Sequence, residues 1–349
     1  MLQRLQSVGF PVCLIGGTVE APPLMVWGGE GEDEPLHGEV SVMGMSRRME
    51  DEISAMTKLC HPDINGGRPV HYFAVYDGHG GTHVSTLCKD NMPTLVQEEL
   101  EHVGHNQENE NEWRRAMVRS FQRMEDIALS PCICGGTDQH PCSCDPDETA
   151  YCGSTANAAV LTQYFILVAN TGDSRAVLCR RGGAIPLSFD HKPDRPDERA
   201  RIEAAGGQVL SLYGPRVQGI LATSRAIGDQ YLKPLVSWEP EITMMRREPE
   251  DDCLIIASDG LWDVLSSQEA CNISRQCLSE RPPVRRPRRT QLNLNEIPQD
   301  DDDGDGRDAR DSHYRYRCLF AAALLTRVAV TMNSHDNISV IVVDLKSGV

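Results

Sequence analysis

The sequence predicts an α+β domain with a strand-rich core, and three observations carry that expectation. Apolar runs of strand length end in turn residues at 70–76 (VHYFAVY), 253–257 (CLIIA) and 338–344 (ISVIVVD), the pattern of buried strands. Three more short apolar segments, 156–162, 164–170 and 175–180, are separated by polar or glycine-bearing turns and read as a meander. Between the strands lie segments of helical period: in NEWRRAMVRSFQRMEDIAL, Trp113, Met117, Phe121, Met124 and Ile127 recur at three- and four-residue steps and mark one buried stripe.

In chain order, residues 1–35 are rich in Gly, Pro and Glu, end in GGEGEDEP, and read as a loosely ordered lead because they hold no sustained period. The folded part begins near Leu36 and is expected to form one large catalytic domain over 36–346, since such domains often exceed the usual ~100 to 200 residues. Around 196–207 a proline opens and Gly206-Gly207 closes a helix. Ser266 with Glu269 makes a capping-box pattern before another, and residues 317–330 supply a last apolar helix. Two insertions break the pattern, a cysteine-rich stretch at 131–152 and RPPVRRPRR followed by DDDDGDGRDARD within 281–311. The second is expected to be a disordered surface loop, because opposite charge blocks with Pro and Gly bury too little apolar area to offset ordering.

Composition narrows the function classes. Apolar residues make up 40% of the chain, enough for a sizeable core, and no run approaches the ~20 continuous apolar residues of a bilayer span. No membrane partner is expected. The first 17 residues make a poor secretory signal, so an intracellular protein is expected. An odd count of 13 cysteines, many of them isolated (Cys13, Cys60, Cys88, Cys179, Cys253), suggests reduced thiols over a disulfide framework. Fifty-one acidic residues against 34 basic give a net charge of −17, a repulsive field for a polyanion, so nucleic acid is not an expected partner.

The chemistry-bearing residues gather at strand ends. In VYDGHGG, Asp77 ends an apolar run and His79 follows within the glycine turn; alone, Asp-Gly reads equally well as a hairpin turn. Asp259 in ASDGLWD leaves a second strand, and Asp336 in SHDNIS enters a third. In antiparallel neighbours an exit and an entry share one sheet edge. Glu50 and Asp51 of SRRMED could reach that edge, and Asp263 follows Asp259 by four. Two carboxylates ~4 Å apart repel by about 4 kcal/mol at an effective dielectric near 20, so such a cluster requires cations. All-oxygen donors select hard ions, Mg²⁺ or Mn²⁺, which keep several waters. Two such ions bridged by Asp77 would activate a water for in-line attack on phosphorus. His79 is placed to protonate the leaving alkoxide, and Arg47 or Arg48 could hold phosphoryl oxygens by bidentate bonds. Competing chemistries lack their motifs: there is no GxxxxGK[ST], HExxH or GxSxG, and no cysteine is followed by Arg six positions on.

In order, SRRMED, VYDGHGG, GSTA at 153–156, ANTGDSRAVL at 169–178, ILATSRAIGD at 220–229, ASDGLWDVLS at 257–266 and DNISVIVVDL at 336–345 resemble the metal-dependent type 2C Ser/Thr protein phosphatases. The resemblance implies a four-layer α-β-β-α sandwich, two antiparallel sheets flanked by helices, with a dimetal site at one end. It implies that Asp77 bridges two Mg²⁺ or Mn²⁺ ions, that Gly78 lends a carbonyl and that Asp259 and Asp336 bind the second ion. Glu50 and Asp51 would support through water, His79 would be the acid, and Asp173 and Asp263 would match a weaker third metal position. DHKPDRPDERARIEAAGG at 190–207 and RAIGDQYLKP at 225–234 resemble more narrowly the plant clade that restrains abscisic acid signalling. Its members dephosphorylate activation loops of stress-activated Ser/Thr kinases, and many are inhibited by hormone-bound receptors. Two departures matter. Ser46 stands where the family has its phosphate-binding Arg, so Arg47 or Arg48 must substitute. Leu212 stands where receptor-sensitive members have a Trp, and Leu cannot donate the indole N–H, so weak or absent receptor inhibition is expected.

Cys132, Cys134, Cys142 and Cys144, with Cys152 nearby, could hold Zn²⁺ tetrahedrally, although structural zinc sites more often space paired cysteines by two to four residues; reduced loop thiols or a redox-sensitive pair are the alternatives. RPPVRRPRR, with five arginines in nine residues, reads as a nuclear import signal or as a solvated loop balancing the acids beside it. The expectation is a monomer of nucleus and cytoplasm.

Overall fold

The computed structural model describes residues 34–103, 110–130, 149–211, 213–279 and 306–346, with backbone alone for 306–315. The predicted lead up to residue 33, the four cysteines Cys132, Cys134, Cys142 and Cys144, the arginine-rich segment and Leu212 lie outside the described residues. Among the described residues no helix is long and apolar enough to cross a membrane.

The elements run β1 (His37–Val42), β2 (Glu52–Cys60), β3 (Val70–Tyr76), the short β4 (Gly78–His79), α1 (His83–Glu101), α2 (Glu110–Ala128), β5 (Gly153–Ser154), β6 (Ala156–Leu161), β7 (Phe165–Thr171), β8 (Arg175–Arg180) and β9 (Gly183–Pro186). They continue with α3 (Pro196–Ala204), β10 (Val209–Ser211), β11 (Pro215–Val217), β12 (Ile227–Gly228), β13 (Glu241–Arg246), β14 (Asp251–Ala257), α4 (Asp259–Trp262), α5 (Ser267–Ser279), α6 (Gly306–Thr331) and β15 (Ile338–Asp344). Two five-stranded antiparallel sheets result, ordered β13-β7-β6-β3-β2 and β1-β15-β14-β8-β9.

The near-continuous apolar strands arise because each sheet is covered on both faces. In β3, Phe73 and Val75 point into a core shared with Leu254 and Ile256 of β14 and Ile341 and Val343 of β15. Tyr72, Ala74 and Tyr76 of the same strand face Met92, Trp113, Met117 and Phe121 on α1 and α2. The period of two thus serves two cores from one strand. On the other sheet, Cys253, Ile255 and Ala257 of β14 with Val340 and Val342 of β15 pack under α5 and α6. The layers are α-β-β-α. Each large side chain buried between the sheets contributes about 1.5–3 kcal/mol.

The helices follow their local signals. The predicted stripe of α2 is buried at Trp113, Met117, Phe121 and Met124, and Trp113 meets Phe165 of β7 edge to face at 4.9 Å. Pro196 opens α3, and Gly206, at φ +85°, ends it, with the Gly207 N–H bonded to the Ile202 carbonyl. Before α5, Ser266 N–H donates to Glu269 Oε2 at 3.1 Å while Glu269 N–H donates to Ser266 Oγ at 3.3 Å, the reciprocal box that satisfies two orphan donors.

Three expectations are corrected, the first being that 281–311 is one disordered loop and that the last helix begins at 317: the helix α6 already runs from Gly306. The meander over 156–180 does not form: β6 and β7 pair from Ala156↔Thr171 to Leu161↔Ile166, but β8 crosses to the other sheet and pairs with β14. Ala176 and Leu178 face the inter-sheet core while Val177 and Cys179 face the helices, a pattern that suits either sheet, so alternation could not choose between them. Cys179 is also no reduced thiol, being disulfide-bonded to Cys271 of α5 with a Cα–Cα distance of 5.6 Å. The alternation of β8 aims Cys179 at α5, whereas a separation of 92 residues gave no local hint of the pairing. Cys60, Cys88 and Cys253 are buried thiols.

Candidate active site

One end of the sandwich collects the acidic residues because strands from both sheets begin or end there. β3 delivers Asp77, and the β2 register places Glu52 opposite Tyr76, so Asp51 lies across from Asp77. In the other sheet, Ala257 pairs with Val340 and the Ser258 N–H bonds to the Ser339 carbonyl, which sets Asp259 beside the approach to β15 that carries Asp336. The β7–β8 crossover brings Asp173 to the same end. Asp263 follows one helical turn after Asp259, its N–H on the Asp259 carbonyl at 2.8 Å.

Backbone and side-chain hydrogen bonds hold these groups. Asp77 exchanges two bonds with Thr155, its N–H to Thr155 Oγ1 at 3.2 Å and the Thr155 N–H to its carbonyl at 2.9 Å. Asp51 Oδ2 accepts from Ser258 Oγ at 2.8 Å, while Asp51 Oδ1 is buried without a hydrogen-bond partner. Asn337 pins the SRRMED loop: its Nδ2 donates to the Met43 and Arg48 carbonyls at 2.9 Å each, and its Oδ1 accepts from the Glu50 N–H at 2.7 Å. Gly78 packs so closely under this loop that a Cβ would come within 2.4 Å of the Glu50 carbonyl.

Asp51 and Asp173 are buried, Asp77 and Asp259 half-buried, and Asp336 and Asp263 exposed at the rim, so the cluster opens to solvent on one side. Its charge is under-compensated. Desolvation, then the charges of Asp51, Asp259, Asp173 and Asp336, push the Asp77 carboxyl well above the usual range. Asp51 is raised to about 6 by burial, with the Asp336 charge adding to the rise and the Ser258 hydrogen bond opposing it. Asp259 is raised by desolvation and Asp173, against Lys192, and Asp263 by desolvation, with Lys192 again opposing. Lys192 is the cation paired into the cluster, its Nζ 2.5 Å from Asp173 Oδ2 and 3.7 Å from Asp259 Oδ2.

An orphaned buried carboxylate oxygen and mutually raised carboxyls are what a cation site looks like before its charge is neutralised, and the all-oxygen donor set suits Mg²⁺ or Mn²⁺. Among the described residues no three His, Cys, Asp or Glu groups close on one point as a ready-made cage.

Beside the acids, a three-stranded ladder β12-β5-β4 joins His79 to a residue that sequence reasoning gave no role. Gly153 pairs with both His79 and Gly228, so His79 and Asp229 meet above it, with His79 Nε2 2.8 and 3.0 Å from the two Asp229 oxygens. A Cβ at Gly153 would come within 2.0 Å of Asp229 Oδ2 and 2.4 Å of His79 Nε2; the glycine of GSTA leaves room for this pair. Burial pulls the His79 imidazole down, and the Asp229 carboxylate more than reverses that, for a net rise. Asp229 adopts a left-handed φ of +51°, which Asp tolerates better than most residues. No spacing in RAIGD signals its meeting with His79; only the ladder register does.

Arg47 and Arg48 are exposed, on the loop that Asn337 anchors at this same end, and neither guanidinium is hydrogen-bonded among the described residues. Glu50 lies close enough for its charge to act on His79.

The chain was compared with known proteins. The family model described as "Protein phosphatase 2C" matches residues 36–296. The chain is 59% identical over 337 residues to "Probable protein phosphatase 2C 75" of Arabidopsis thaliana, covering 94% of this chain and 77% of that one. It is 48% identical over 316 residues to "Probable protein phosphatase 2C 24" of the same plant, covering 89% and 79%. Among solved structures, the serine-threonine phosphatase 2C from Toxoplasma gondii superposes with a TM-score of 0.65 at 22% identity, over 90% of this chain and 96% of that one, a likeness of fold.

Proposed function

The chain belongs to the protein phosphatase 2C family and is a protein serine/threonine phosphatase, and from that premise we propose that it hydrolyses phosphoserine and phosphothreonine on signalling kinases by direct attack of water, with no covalent enzyme intermediate. The observation that carries this reading is the under-compensated group of Asp77, Asp51, Asp259 and Asp173 beside the His79–Asp229 pair. Asp77, the Gly78 carbonyl, Asp259 and Asp336 would hold two Mg²⁺ or Mn²⁺ ions, the metals this family generally uses, with Glu50 and Asp51 supporting them through water. When bound, such ions supply the Lewis acidity that makes water nucleophilic near neutral pH and neutralise phosphoryl charge.

The chain's own groups do the rest. Asp229 occupies His79 Nε2 and favours the imidazolium, which leaves Nδ1–H as the donor to the departing serine or threonine oxygen. The Arg47 or Arg48 guanidinium clamps phosphoryl oxygens in the place of the side chain that Ser46 cannot supply. DHKPDRPDERARIEAAGG and RAIGDQYLKP support placing the chain among the phosphatases that restrain abscisic acid signalling, acting as a monomer in nucleus and cytoplasm, with hormone-receptor inhibition weak because Leu212 replaces Trp. A second reading, inhibition of a kinase by occupying its cleft, draws on the fully exposed Tyr213 and the exposed Ile220 about the β10–β11 hairpin.

One experiment tests both. Hydrolysis of a phosphothreonine peptide is measured with Mn²⁺ and with chelator, for the unmodified chain and for Asp77→Asn. The catalytic reading expects chelation to abolish turnover and Asp77→Asn to lower kcat by about a thousandfold or more, on the order of 4 kcal/mol. Turnover indifferent to chelator would overturn it, and a variant that still inhibits the kinase stoichiometrically would favour cleft occupation.

A further inference from the structure

The strongest unassigned feature of the site is Lys192. Its backbone is fixed against the turn that carries Asp173: the His191 N–H donates to the Gly172 carbonyl at 3.1 Å, and the Gly172 N–H donates to His191 Nδ1 at 3.0 Å. The fully buried His191 is tied down again through its carbonyl, which accepts from Ser224 Oγ at 2.9 Å and from the Ser224 N–H at 2.8 Å. The lysine stem therefore starts from a rigid point, and its ammonium lies 2.5 Å from Asp173 Oδ2 and 3.7 Å from Asp259 Oδ2. Asp263 also feels its charge.

We propose that Lys192 is a built-in cation that competes with a divalent ion for the Asp173–Asp263 side of the cluster, and so sets how weakly a third metal ion is held there. The argument is one of charge and space. A divalent ion binding Asp173 must displace an ammonium already within hydrogen-bonding distance of that carboxylate, and near it the two cations would repel. The main pair of ions is affected less, because Asp77, Asp51 and Asp336 lie outside the ion pairs that Lys192 makes, and Asp259, which also serves that pair, is met only at 3.7 Å against 2.5 Å for Asp173. Lys192 is one-third exposed, so the ammonium can swing into water when a metal takes its place. The inference rests on the metal-dependent reading of the site above.

The test measures binding, not turnover. Mn²⁺ is titrated into the unmodified chain, Lys192→Met and Lys192→Arg, with calorimetry for affinity and electron paramagnetic resonance for the number bound. The expected result is two tight ions and one weak ion in the unmodified chain. Lys192→Met should tighten the weak site at least tenfold and leave the tight pair within about threefold. Lys192→Arg, which keeps the charge, should leave the weak site no tighter than before. A weak site within twofold of the unmodified value in Lys192→Met overturns the proposal, as does equal tightening by Lys192→Arg. Fewer than two Mn²⁺ on the unmodified chain would instead sink the dimetal reading, so the two failures are distinguishable. Should Lys192→Met fail to fold, the unmodified chain decides: its lysines are ¹³C-methylated and the Lys192 resonance, assigned by its loss in Lys192→Arg, must shift as Mg²⁺ fills the weak site. No shift overturns the proposal.

Discussion

Two groups of acidic residues in this domain meet opposite fates. At the sandwich end, Asp77, Asp51 and Asp259 face one another, Lys192 pairs with Asp259 alone of the three, and their carboxyls are raised. On α3, Glu198 is fully buried, deeper than the half-buried Asp77 and Asp259, yet it is ringed by donors: Arg225 Nη2 at 2.6 Å, Arg201 Nη2 at 2.7 Å and Ser224 Oγ at 2.7 Å. Burial alone would raise Glu198, but the hydrogen bonds from Arg225, Arg201 and Ser224 win and hold it at about 2. A buried acid that the protein neutralises is a staple, here tying α3 to the segment leading into Asp229. Acids left under-neutralised are, on the function proposed above, a receptor for cations from outside. The difference lies in the supply of arginines, not in depth of burial.

Breaking the staple should give the largest effect on stability. Glu198→Gln leaves Arg225 and Arg201 without their counter-charge and is expected to cost about 3 kcal/mol, read from urea unfolding at pH 7. The sign with pH follows from the depressed carboxyl: the stabilisation is fully present above the ordinary value of 4.5 and is lost as pH falls toward about 2. The variant should therefore lose part of the acid sensitivity of the unmodified chain, and an unchanged unfolding curve below pH 5 would refute the staple.

The next effect is on chemistry. Asp229→Asn removes the carboxylate that favours the His79 imidazolium and should slow phosphopeptide hydrolysis about a hundredfold, within the usual range for a positioned acid. An aryl phosphate, whose leaving group needs no proton, should be slowed less than fivefold. Equal loss on both substrates would make Asp229 a structural support only.

The smallest effect sharpens the contrast from the other side. In chelator, Asp51→Asn removes one charge from a crowded site and should stabilise the fold at pH 7 by about 2 kcal/mol. The raised carboxyl sets the sign: its protonated form favours folding below 3.8, and that contribution is lost as pH rises through about 6. Destabilisation of the metal-free protein by this substitution would mean that the cluster is compensated after all.

Much of this site was legible before the fold was known, and the reason is local. Asp77, Asp259 and Asp336 each adjoin a strand whose apolar run marks its own end, and antiparallel pairing sends an exit and a neighbouring entry to one edge. Asp229, Lys192 and Asn337 were not legible as partners of the site. His79 and Asp229 are 150 residues apart and meet only through two-residue strands flanking Gly153, too short to leave a periodic signal. The crossing of β8 and the Cys179–Cys271 bond escaped for the same kind of reason, since alternation tells which residues share a face but not which sheet owns the strand.

The sequence by itself determined the long apolar strands, the buried stripe of α2, the ends of α3, the cap of α5 and the carboxylates at the strand ends, because propensity, period and turn chemistry act over a few residues. Only the tertiary structure decided which sheet β8 joins, which cation stands among the acids and which carboxylate holds His79. Those choices depend on distances between chain segments far apart in sequence, set by the packing of two sheets and four helical flanks into one close-packed interior.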